Sequence, residues 1–74
     1  MSDQKEPRSL GEALPAEMTR VRDVVIPPYI EIGPAGAIAL AMMRQSLDNA
    51  QRALAAGDVV EMLRCYEDLK GYTL

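Results

Sequence analysis

The chain has 74 residues, with one cysteine, no histidine and a net charge of −3. One cysteine excludes an intramolecular disulfide, the lack of histidine removes the commonest zinc ligand, and interspersed charges leave no basic face for duplex nucleic acid. No apolar run approaches the ~20 residues of a membrane span, so we expect a cytoplasmic protein without membrane contact. We also expect it to bind no metal and no cofactor.

The first eight residues are charged and polar, and we expect them to form a disordered tail before a single helical domain over 9–74. The first helix is predicted over about 15–26. Pro15 suits the first position of a helix, and apolar residues recur around it at helical spacing.

Two adjacent prolines, Pro27 and Pro28, follow this first predicted helix. Each lacks an amide donor, and a proline pushes the residue before it out of the helical region, so the helix is predicted to end with Ile26 extended. The connector over 26–33 stays open between strand, turn and helix.

A long helix over about 34–56 and a third helix over about 58–70 form the rest of the prediction. Gly57 is expected to end the first of these in a left-handed conformation, and Asp58 to cap the second. So short a joint forces an antiparallel hairpin. Two stripes are predicted to meet across it: Leu40, Met43, Leu47, Ala50 and Leu54, and Val59, Met62, Tyr66 and Leu69.

The start of the long helix is apolar on more than one side. Ile38 and Met42 lie outside the stripe that faces the hairpin, and the alanines around them, including Ala35 and Ala39, offer almost no polar surface. The sequence therefore predicts an all-α, three-helix domain that self-associates through these four residues. The alternative is a monomer in which the first helix and the connector cover them.

The sequence shows no set of residues arranged for nucleophilic or acid–base catalysis, and Cys65 is predicted to be a small buried hydrophobe. We therefore expect that the protein is not an enzyme. Arg44, Asp48 and Arg52 stand four residues apart, a spacing typical of an intrahelical charge ladder. Alternatively, assembly brings such arginines together around a phosphate or a carboxylate, with Tyr29 available to stack on a base.

The segments "IGPAGA", "LDNA" and "GDVVEMLRCYEDLKG" resemble short proteins of tailed phages and prophages that carry no assigned activity. The resemblance implies a phage product acting in the host cytoplasm as an accessory or anti-defence factor. "RALAAGDVVEMLRCYEDLKG" is similar to the hairpin of histidine phosphotransfer domains, but it has no histidine to phosphorylate. "IALAMMRQSLDNAQRALA" resembles the long helix of phage cyclic-oligonucleotide sponges in helix pattern only.

The leading functional hypothesis is a non-enzymatic phage accessory or anti-defence protein that works by binding, as a helical homo-oligomer. One alternative is a cyclic-nucleotide sponge whose pocket forms between subunits and uses Arg44 or Arg52. Another is an inhibitor that docks onto a host defence enzyme through acidic residues such as Glu61, Glu67 and Asp68.

Overall fold

A computed structural model describes residues 9–73 of the chain, and every regular element within them is helical. Three helical rods pack around one core, so the predicted all-α, three-helix class is confirmed. The predicted tail over residues 1–8 lies outside the described residues. The first rod consists of α1 (Leu10–Arg20), a π-helical turn (Val21–Val25) and α2 (Ile26–Glu31).

The first rod begins earlier than the sequence prediction of about 15–26. Ser9 has extended dihedral angles, and its carbonyl accepts hydrogen bonds from the amides of Glu12 (3.1 Å) and Ala13 (2.8 Å). Pro15 therefore lies inside α1 rather than at its first position. Proline has no amide hydrogen, so the Gly11 carbonyl loses the donor that another residue at position 15 would supply. Pro15 is tolerated because Gly11 and Pro15 are both exposed, and water can satisfy that carbonyl.

The two prolines do not end the rod, so that prediction and the extended Ile26 were wrong. Ile26 has helical dihedral angles (φ −64°, ψ −45°), and α2 continues to Glu31. Pro27 and Pro28 lie directly after the π-helical turn, and the residues four positions before them, Asp23 and Val24, are exposed, so water can satisfy the carbonyls that lose an amide donor. Burial of neighbouring apolar side chains offsets the remaining cost: Val21, Val25 and Ile26.

The joint between α3 (Ala37–Ala56) and α4 (Val59–Lys70) has the predicted geometry. Gly57 is left-handed (φ 68°) and donates to the Leu54 carbonyl at 3.1 Å, while the Asp58 amide donates to the Ala53 carbonyl at 3.2 Å. This is a Schellman motif. An oxygen of the Asp58 carboxylate then accepts the Glu61 amide at 3.2 Å and caps α4. A short 3₁₀ turn, Gly33–Gly36, precedes α3 in place of the predicted helix start at 34.

The core forms where α1 and α3 both pack against α4, and its buried apolar residues come from all three rods. The predicted stripe of α3 faces this core. A guanidinium nitrogen of Arg20 donates to the Leu69 carbonyl at 3.0 Å, which joins the end of α1 to the end of α4. The hydroxyls of Ser46 and Tyr72, 3.0 Å apart, hold the segment after α4 on α3.

Candidate functional site

The start of α3 presents an uncovered apolar surface. Ile38 is 77% exposed and Met42 is 56% exposed, so more than half of each residue is open to solvent. We call these two residues the α3 flank. Of the other two predicted interface residues, Ala35 is exposed and Ala39 is partly buried against the core. The structure therefore leaves three of the four predicted residues accessible and uses Ala39 inside the chain.

A second exposed apolar surface lies on the first turns of α4, and the sequence analysis missed it. Val59, Val60 and Leu63 are each at least half exposed. Placing Val59 in the stripe that packs across the hairpin was wrong. Val59 is the first residue of α4, directly after the chain reversal, where the last alanines of α3 are themselves exposed and leave nothing to pack against.

The two arginines singled out on α3 line different grooves. Arg44 borders a groove of about 250 Å³ between α1 and α3, together with Met18, Arg22, Leu47 and Gln51. It makes no hydrogen bond or ion pair with any residue from 9 to 73. Of the two ion pairs in the predicted ladder, one is present: Arg52 pairs with Asp48 at 2.9 Å, and Arg44 does not pair with Asp48.

Arg52 borders a larger groove of about 440 Å³ between α3 and α4. It also donates to Asn49 at 3.2 Å. Across the groove Arg64 pairs with Glu61 at 3.5 Å. The cations of this groove are thus matched by carboxylates of the same chain, and such exposed pairs contribute only about 0.2–1 kcal/mol each.

Tyr29 lies in neither groove. Its side chain is half-buried and packs against the core. One chain therefore does not bring Tyr29, Arg44 and Arg52 together. A pocket containing two of them would need a second subunit, as the sponge hypothesis assumes.

Cys65 is buried on α4, as predicted. Burial, and to a smaller extent the carboxylates of Glu61 and Asp68, raise the pKa of its thiol above the ordinary value, while the Arg64 guanidinium opposes the shift. A raised pKa keeps the sulfur protonated at neutral pH. The thiol is therefore a poor nucleophile in the folded chain.

This raised pKa predicts how stability depends on pH. The fold favours the neutral thiol, so its contribution is complete below the pKa of the unfolded thiol and is lost as pH rises through the folded value. We expect the urea midpoint of the native chain to fall as the pH rises above the ordinary thiol pKa of about 8.5, and that of Cys65→Ala to fall less. Identical pH profiles for the two proteins would contradict the assignment.

Within residues 9–73, no helix is both long enough and apolar enough to cross a lipid bilayer. Comparison of the chain with protein-family models, with curated proteins and with solved structures gave no match. The candidate site is therefore defined by this chain's own geometry: the α3 flank, with a groove on either side of α3.

Proposed function

We propose that this protein is a non-enzymatic binding protein that acts as a homo-oligomer, with the α3 flank in the contact between subunits. The observation that carries the proposal is the exposure of Ile38 and Met42 on a helix whose other large apolar residues pack inward. Covering apolar surface is favourable by roughly 25 cal/mol per Å². A second copy offers the same surface, so a twofold contact covers both at once.

The size of the chain supports assembly. A domain of about 60–75 residues buries a smaller fraction of its surface than a large one, and its net stability is small. The buried residues here are mainly aliphatic and small, with no phenylalanine or tryptophan in the chain. Contacts between subunits would add apolar burial that this core lacks.

Binding rather than catalysis is supported by the state of the reactive groups. The raised pKa of Cys65 disfavours the thiolate, and the arginines of the larger groove are paired with carboxylates of the same chain. The resemblance to short phage proteins adds a biological setting, an accessory or anti-defence factor in the host cytoplasm. That setting is part of the proposal.

The test is sedimentation velocity from low to high micromolar concentration, with Ile38→Glu as the variant and Val60→Glu as its matched control. Both side chains are more than half exposed, so both variants should keep the helical circular dichroism of the native chain. A carboxylate at position 38 would be buried on association. We expect Ile38→Glu to weaken self-association by at least about tenfold and Val60→Glu to leave it within about twofold.

Two results would overturn the proposal. One is a native chain that remains monomeric at high micromolar concentration. The other is an equal loss of association in both variants, which would move the contact away from the α3 flank.

A further inference from the structure

The geometry points to a second binding site: the groove between α1 and α3 binds a single carboxylate that carries a small apolar group, with Arg44 and Arg22 as its donors. The site lies on α3 but apart from the α3 flank. It does not depend on self-association.

Arg44 carries the one guanidinium in the described chain that lacks an acidic partner. Each other arginine between residues 9 and 73 is paired with a carboxylate: Arg20 with Glu17, Arg22 with Asp23, Arg52 with Asp48, and Arg64 with Glu61. The groove also contains Asp48, but that carboxylate already accepts from Arg52 at 2.9 Å. One positive charge in the groove is therefore left without a partner.

Arg22 brings further donors from the other wall. Its pairing with Asp23 uses the Nε hydrogen, at 3.0 Å, and one Nη2 hydrogen, at 3.4 Å. A guanidinium has five N–H donors in a planar fork, so three remain. Charge-assisted bonds from arginine to a carboxylate are among the stronger hydrogen bonds that proteins make. The exposed amide of Gln51 adds a neutral donor beside them.

The rest of the groove is apolar and small. Met18 and Leu47, both partly buried, line it together with the two arginines. A volume of about 250 Å³ lies below the range of roughly 300–1,000 Å³ that holds drug-sized ligands. The groove thus fits one acid group with a short apolar chain. The net charge of −3 disfavours any ligand with several negative charges.

The carboxylate has two sources with the same chemistry, a free short-chain acid or a glutamate next to an apolar residue on a polypeptide. Titrations of the isotopically labelled full chain, followed by amide chemical shifts, separate them. Hexanoate probes the first source and N-acetyl-Leu-Glu-amide the second. Hexanamide is the uncharged control, and inorganic phosphate tests the alternative anion.

We expect saturable shifts at Met18, Leu47 and Gln51 with one of the two carboxylates, at about millimolar affinity, and weaker shifts with hexanamide and phosphate. Arg44→Gln should weaken binding by at least about tenfold, because a charge-assisted bond is lost. The matched control, Arg64→Gln, alters the other groove and should change the affinity less than about twofold.

The proposal is overturned if neither carboxylate saturates by tens of millimolar, if hexanamide or phosphate binds as tightly, or if Arg44→Gln binds like the native chain. Sedimentation of Arg44→Gln keeps this result separate from self-association. Its oligomeric state should match that of the native chain, because Arg44 lies outside the α3 flank.

Discussion

Replacing Leu69 with alanine is expected to remove about half of the folding free energy of this protein. Leu69 is fully buried where α1, α3 and α4 meet. Truncating a buried leucine costs about 2–5 kcal/mol, because it removes transfer free energy and leaves a cavity. At about 0.05–0.15 kcal/mol per residue, a chain of 74 residues has a folding free energy of roughly 4–11 kcal/mol, so the loss is about half of it.

The matched control for Leu69→Ala is Leu63→Ala, on the same helix. Leu63 is half exposed, so its truncation removes little buried surface and should cost less than about 1 kcal/mol. Urea denaturation followed by circular dichroism measures both variants. Equal midpoints for the two would show that the core does not lie where the structure places it.

Replacing Gly36 with alanine is the second change with a large expected effect. A β-carbon at this position would lie 2.5 Å from the Tyr29 carbonyl oxygen and about 3.0 Å from the Ile32 side chain. Gly36 has an ordinary negative φ (−95°), so alanine is not strained by its own backbone conformation. The penalty is therefore steric, and overpacking of this kind costs about 1–3 kcal/mol or more.

Gly11→Ala is the control for Gly36→Ala. Its β-carbon would meet only the Ser9 hydroxyl, at 3.6 Å, and an alanine inside a helix is favoured over glycine by about 0.5–1 kcal/mol. Urea denaturation should therefore move the two midpoints in opposite directions. A Gly36→Ala variant as stable as the native chain would mean that α2 does not approach the start of α3 this closely.

The two proposed sites lie on well-separated sides of α3. Arg44 follows Met42 by two positions, which places their side chains about 160° apart around a helix of 3.6 residues per turn. A subunit that covers the α3 flank would thus leave the Arg44 groove open. Self-association and carboxylate binding can therefore be measured as independent properties of one chain.

Among the site residues, the most predictable were those whose exposure follows from their position around a single helix. The exposure of Ile38 and Met42 was expected, because both fall outside the stripe that faces the hairpin. The grouping of Arg44 with Arg22 was not expected. These residues come from different rods, and no spacing within one helix reports how two rods cross.

The sequence alone determined the helical class, the joint at Gly57 and Asp58, and the burial of Cys65. These features depend on residues close together in the chain: a left-handed glycine, a capping carboxylate and an apolar period of about 3.6 residues. Only the tertiary structure decided that Pro27 and Pro28 continue a helix, that Val59 is exposed, and that Arg44 and Arg52 face different grooves. In each case the outcome depends on which other segments lie beside the residue, and the local sequence pattern does not specify those neighbours.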